Sequence, residues 1–213
     1  MSASPTKPQR SQAPYTLYCQ RGYGSVLAEA ALTLSGAPFE RVAVDMDGPR
    51  TELRMHNPLG QLPTLILPDG EVLTESAAII ALLSELAPDS GLAPPPGSPQ
   101  RAAFLRWLTF FVAAIYPTFT FGDDPARFCD HPESLRERVI AHRKALWLQV
   151  EAAAGAPWFL GATWSALDLY VCAMTHWGPG RAWFAEHTPR LAAIAAACRA
   201  LPRLAAVWTT NFD

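Results

Sequence analysis

At 213 residues, half of them apolar and 17% charged, the chain is long enough for two modest domains with a sizeable core and too apolar for a disordered or coiled-coil protein. A net charge of -2 with no local run of Lys or Arg leaves no footprint for nucleic acid, and no N-terminal apolar stretch resembles a signal peptide. No later segment reads as a membrane span. Cys19, Cys129, Cys172 and Cys198 lack CxxC spacing and the five histidines lack metal spacing, so free thiols in the cytoplasm, and no metal, are expected.

Residues 1–14 read as a polar tail. Tyr15 to Cys19 is a short β-rich run that ends at Gly22 and Gly24. From Ser25, the apolar residues Val26, Leu27, Ala30, Ala31 and Leu34 recur at helical spacing, with Gly36 placed for a left-handed cap. Phe39 to Asp45 alternates as a second strand, which predicts a strand, helix, strand unit with parallel pairing. A polar connection carries Arg50 to His56. Pro63 to Leu67 then reads as a strand, Asp69-Gly70 as a hairpin turn and Glu71 to Leu73 as a further, antiparallel strand. Glu75 and Ser76 open a helix whose core face is Ile79, Ile80, Leu83 and Leu86, stopped by Pro88.

The Pro, Gly and Ser density after Pro88 predicts a linker over 88–98 between an α/β domain, 15–87, and a second domain, 99–213. In the latter, Phe104 to Ile115 and Leu135 to Val150 mark long helices. Ser165 to Trp177, Leu191 to Arg199 and Leu201 to Trp208 add shorter ones, so the second domain is predicted to be an all-α bundle.

Three motifs stand out in this frame: Asn57-Pro58-Leu59-Gly60-Gln61-Leu62-Pro63-Thr64-Leu65, Leu73-Thr74-Glu75-Ser76-Ala77-Ala78-Ile79, and Ser165-Ala166-Leu167-Asp168. Together with the element order they resemble the cytosolic, bacterial-like glutathione transferases from Tyr15 to about Phe212. The resemblance implies a thioredoxin-like N-terminal domain, a helical C-terminal domain, glutathione as co-substrate, a second, apolar electrophile, a role in detoxification and a homodimer.

Glutathione offers a peptide-like cysteinyl unit, a γ-glutamyl end with both charges, and a glycine carboxylate. By resemblance, Pro63 is cis and the Leu62 backbone pairs with the cysteinyl unit like an added strand. Ser76, at a helix start, suits the γ-glutamyl carboxylate, because the first amides are unpaired and the dipole favours an anion. Glu75 meets the ammonium and Gln61 reaches toward the glycine end. Plain helix capping is the competing reading of Glu75-Ser76. Ser165 and Asp168 resemble a buried capping box with no catalytic part, Trp164 and Leu169 forming its staple.

The nucleophile is the thiolate, and a free cysteine-type thiol has a pKa of about 8.5, so a donor must hold the anion. Aligned through Ala31-Leu32 and Gly36, the family's catalytic serine position falls on Gly22 and its catalytic cysteine position on Gly24. Ser25 is the leading candidate in their place, then Tyr18, then Tyr23. Cys19 reads as a small buried hydrophobe. Trp107, Phe110, Phe111, Tyr116 and Phe119 lie where the family lines its electrophile pocket, although aromatics at this spacing more often form core. The alternatives are a glutathione-binding protein that has lost catalysis, or a glutathione-dependent isomerase or ether-cleaving enzyme.

Overall fold

The computed structural model describes residues 13–213, so the tail expected over 1–14 lies, except for Ala13 and Pro14, outside the described residues. Strand β1 (Tyr15–Cys19) pairs in parallel with β2 (Phe39–Ala43), with Tyr15 opposite Phe39. The short β3 (Thr64–Ile66) runs antiparallel to β1, and β4 (Val72–Thr74) antiparallel to β3, giving a four-stranded sheet in the order β2-β1-β3-β4. The parallel pair needs a crossover, which α1 (Ser25–Ser35) supplies. Gly36 ends it at φ 67, where a side chain would be strained, and its N–H closes on the Leu32 and Thr33 carbonyls.

Helix α2 (Thr51–His56) occupies the segment expected to be an irregular polar connection. Of its residues only Leu53 is buried, so no periodicity reveals it. Helix α3 (Ser76–Leu86) returns across the sheet and packs Ile79, Ile80 and Leu83 into the core beneath α1. This half is the thioredoxin-like unit expected.

The rest is helical. Helix α4 (Arg101–Phe110) passes through a π-helical turn, Phe111–Ile115, into α5 (Tyr116–Asp123). The sequence pattern ends this helix near Ile115, yet it continues past Pro117. A proline ring collides with the carbonyl four residues back, and the widened turn just before Pro117 makes room for it. The resulting 23-residue rod is long and apolar enough to cross a membrane, contrary to the sequence reading. In the fold its Phe104, Leu108, Phe111 and Ile115 are buried in the protein's own core.

Helix α6 (Pro132–Ala153) packs along α5, and α7 (Ala166–Met174), buried along its whole length, is the axis of the bundle. Helix α8 (Arg181–His187) was not anticipated. It is short, with Phe184 its one buried residue, and is set off by Gly180 and Pro189. Helices α9 (Pro189–Arg199) and α10 (Ala205–Phe212) complete the chain.

The capping box forms at the start of α7. Ser165 Oγ accepts from the Leu167 N–H at 3.4 Å and Asp168 Oδ2 accepts from the Ser165 N–H at 2.8 Å. Asp168 Oδ1 takes the Phe159 N–H at 2.8 Å, tying the preceding loop to the helix. Burial pushes this carboxyl up to about 6 against the pull of its backbone donors. Asp168→Asn turns one acceptor oxygen into a donor facing an N–H, and it is expected to cost about 1–3 kcal/mol of unfolding free energy. Urea denaturation measures this; an unchanged midpoint would refute it.

Candidate functional site

A cleft of about 1080 Å³ opens between the α/β and helical halves. Its α/β wall consists of Gly22, Tyr23 and Gly24, Gln61 to Pro63, and Thr74 to Ser76. The helical wall carries Val112, Tyr116, Phe119, Phe121, Ile140 and Trp177. A second cavity of about 380 Å³ among α7, α8 and α9 is lined by Cys172 and His176 but by none of the candidate catalytic or glutathione-binding residues.

Asn57 builds the loop before β3. Its buried amide donates to the Gln61 carbonyl and to Thr64 Oγ1, each at 3.1 Å, and its Oδ1 accepts from the Leu59 N–H at 3.2 Å. Thr64 Oγ1 donates to the same Gln61 carbonyl at 2.9 Å. The Leu62–Pro63 bond that follows is cis. Among the described residues, the Leu62 N–H and C=O take no part in the sheet or in any loop hydrogen bond, although the Gln61 carbonyl just before accepts two. An unpaired donor and acceptor on an edge that faces a cleft can receive an extended peptide.

At the other end of the β3–β4 hairpin, Glu75 starts α3 at φ 64 and ψ 111, and its side chain makes no capping bond. Positive φ in a residue with a Cβ costs on the order of 1–3 kcal/mol and clusters at binding sites. Plain capping is therefore not what this glutamate does. Ser76, the first helical residue, is buried, and its hydroxyl lies 2.7 Å from that of Tyr170 on α7. Gln61, Leu62, Pro63, Glu75 and Ser76 are thus brought together on one wall.

The hydroxyl candidates separate. Ser25 is fully buried outside the cleft lining; its Oγ donates to the Gln20 carbonyl and accepts from the Gln20 N–H, both at 3.2 Å. Tyr18 is buried under α2 and donates to Glu52 Oε1 at 2.9 Å. Burial, reinforced by Glu52, raises its pKa. Neither residue lines the cleft and each hydroxyl is engaged within the protein, against the first and second rank that the sequence gives them. Tyr23 does line it, 39% exposed.

Of the aromatics singled out on the α4–α5 rod, Trp107 and Phe111 are core and Phe110 packs partly buried against that core; Tyr116 and Phe119 reach the cleft. The Tyr116 hydroxyl is buried and has no hydrogen-bond partner, alone in this respect among the cleft-lining side chains described. A Cβ built on Gly24 would stand 2.6 Å from this oxygen and 3.6 Å from the Leu62 carbonyl oxygen. Gly24 therefore has no side chain because the phenol occupies its place. The sequence reading placed Tyr116 among aromatics that line the electrophile pocket or form core, and gave its hydroxyl no role. The signal it passed over was the pair of glycines opposite, where the resemblance leads one to expect a side chain.

The cleft's far end is not wholly apolar. Asp123, Arg136 and Arg143 line it with the aromatics, and burial raises the Asp123 carboxyl against the pull of both arginines. Arg143 is spent on structure: it donates to Thr118 Oγ1 at 2.9 Å, to the Thr118 carbonyl at 2.6 Å and to the Gly178 carbonyl at 3.2 Å, and it covers the Phe119 ring. Trp177 Nε1 donates to the Gly22 carbonyl at 2.7 Å, fixing the 22–24 loop to the helical wall.

Comparison with known proteins points to one family. The family model for the glutathione S-transferase N-terminal domain matches residues 28–86. The chain is 41% identical over 201 residues to the GST-like protein YncG of Escherichia coli K12, itself uncharacterised, covering 92% of this chain and 97% of that one. It is 31% identical over 166 residues to glutathione S-transferase GstA of Escherichia coli O157:H7, covering 76% and 81%. A glutathione transferase from Methylococcus capsulatus superposes with a TM-score of 0.74 at 28% identity, and a sphingomonad glutathione S-transferase complexed with glutathione does so with the same values, each pairing covering 92% of this chain and 98% of the other. The chain belongs to the glutathione transferase family.

Because Ser25 serves the Gln20 backbone, Ser25→Ala is expected to lower stability by about 1–3 kcal/mol while leaving ligand affinity per folded molecule unchanged. Thermal melting alongside calorimetry checks both, and a stable variant with lost affinity would return Ser25 to the site.

Proposed function

We propose that the protein is a catalytic glutathione transferase whose bound thiolate attacks the electrophilic carbon of an apolar second substrate. The observation that carries this reading is the α/β wall of the cleft. It offers the unpaired Leu62 backbone for the cysteinyl unit, the α3 start at Ser76 for the γ-glutamyl carboxylate and the uncapping Glu75 for the ammonium. Gln61 stands ready for the glycine end. The similarity to the glutathione S-transferase GstA and to the sphingomonad glutathione S-transferase complexed with glutathione supports the same ligand.

The aromatic helical wall then takes the electrophile, and holding both reactants in one cleft supplies orientation. Asp123 and Arg136 at its far end favour a substrate with a polar group remote from the reacting carbon. The same reading makes the protein a cytoplasmic, detoxifying homodimer. Met55 and Leu59, 72% and 70% exposed on the α/β half, are apolar side chains that a partner subunit would cover. A glutathione-binding protein without catalysis is the second reading, favoured by the missing side chains of Gly22 and Gly24.

Glu75→Ala and Ser76→Ala are each expected to weaken glutathione binding by about 1–3 kcal/mol in calorimetry. Ser76→Ala also strips Tyr170 of its partner, so stability falls with it. Glu75→Gly separates the effects: it relieves the positive φ, keeping or raising stability, yet loses affinity as the alanine variant does. Unchanged affinity in all three would reduce the motif to a helix start.

Turnover with aryl halides, epoxides and peroxides decides between the two readings. The transferase predicts conjugation or reduction of at least one class; tight glutathione binding with no turnover supports the binder.

A further inference from the structure

Most side chains that the family alignment offers for holding the thiolate are missing or engaged elsewhere, and the one that lines the cleft, Tyr23, is 39% exposed to solvent. Gly22 and Gly24 have none, Ser25 is bonded to Gln20, and Tyr18 to Glu52. A buried, desolvated donor for the thiol has to come from elsewhere in the cleft.

Tyr116 supplies one from the opposite half of the molecule. Its ring is held by Tyr170, Trp177 and Phe119, with centroids 6.5, 5.9 and 6.3 Å away, so the direction of the hydroxyl is set by packing rather than by a hydrogen bond. The oxygen is buried and unpartnered, a state that costs free energy unless a ligand completes it. The Cβ position of residue 24 would lie 2.6 Å from this oxygen and 3.6 Å from the Leu62 carbonyl oxygen, so the hydroxyl and the Leu62 edge border the same space beside Gly24. A cysteinyl unit paired with Leu62 carries its sulfur only two bonds from the paired backbone, so the sulfur arrives in that same space.

Resting on the glutathione reading above, we infer that Tyr116 is the residue that activates the thiol: its Oη–H donates to the sulfur of bound glutathione and stabilises the thiolate. The thiol proton passes to bulk water and Tyr116 keeps its own, so no bond to the protein forms or breaks. Burial raises the phenol's pKa well above its usual value, so it stays a donor throughout the working range. Gly24 is then a specificity device, since any larger residue would displace the donor. The π turn, which ends one residue before Tyr116, fits the same picture, because such turns recur where a helix must aim a functional side chain.

The thiolate absorbs in the ultraviolet, so titrating the glutathione complex of the full-length protein reads the bound thiol directly. In the unmodified protein its pKa is expected below the free value of about 8.5. Tyr116→Phe keeps the ring and should raise it by about one to two pH units, leaving glutathione affinity unchanged at acidic pH, where the thiol is neutral. Gly24→Ala, whose methyl takes the place of the hydroxyl, should shift it the same way, and Tyr23→Phe should not. An unmoved titration in Tyr116→Phe, or a larger shift in Tyr23→Phe, overturns this assignment while the glutathione reading stands. Failure of the unmodified protein to bind glutathione overturns both.

Discussion

A helix that is apolar on every side must be covered on every side, and α1 sets this condition for the molecule. Val26 through Leu32 are all buried, with β1 and α3 on one flank and α7 and α10 on the other. Three alanines, Ala28, Ala30 and Ala31, let these neighbours approach closely. Its one charge, Glu29, is 5% exposed and is satisfied from both halves: Asn211 Nδ2 donates to it at 3.0 Å and the Arg41 guanidinium lies 3.5 Å away. A buried carboxylate without such partners would cost several kcal/mol. Through α1, therefore, the sheet and the bundle are locked in one arrangement, and the N-terminal end of α1 is fixed opposite α5.

The cleft is what this arrangement leaves open, and some of the polar groups along it contrast with those satisfied inside the protein. Asp168, Asn57 and Arg143 use their hydrogen-bonding capacity within the protein. Along the cleft the Leu62 amide and carbonyl, the Glu75 carboxylate and the Tyr116 hydroxyl do not. Glu75 also holds a backbone conformation that only its surroundings enforce. Unsatisfied and strained groups gathered on facing walls are what a preorganised binding site requires, because the ligand then completes bonds rather than competing for them.

Much of this was legible in the residues. The strand, helix, strand start, the hairpin at Asp69-Gly70 and α3 follow from periodicity and turn chemistry that tertiary packing reinforces. Helices α2 and α8 were not legible, since each buries a single side chain and periodicity has nothing to register. Nor was the passage of α5 through Pro117, because the π turn that absorbs it is a backbone adjustment with no signature of its own. In the site, the ligand-facing backbone came from a local motif and was readable. Ser25 and Tyr18 were ranked by their match to the family's catalytic positions, which carries no sign that the Gln20 backbone and Glu52 engage their hydroxyls. Tyr116 lies 92 positions from Gly24, a juxtaposition only the packing of the two halves creates.

The central claim is that glutathione lies along Leu62 with its sulfur against Tyr116, and a crystal structure of the complex tests it most directly. The account predicts two hydrogen bonds between Leu62 and the cysteinyl backbone, the γ-glutamyl carboxylate at the Ser76 amide, and the sulfur within hydrogen-bonding distance of Tyr116 Oη. Glutathione bound elsewhere, or bound at Ser76 with its sulfur turned toward Ser25 or Tyr18, would contradict it.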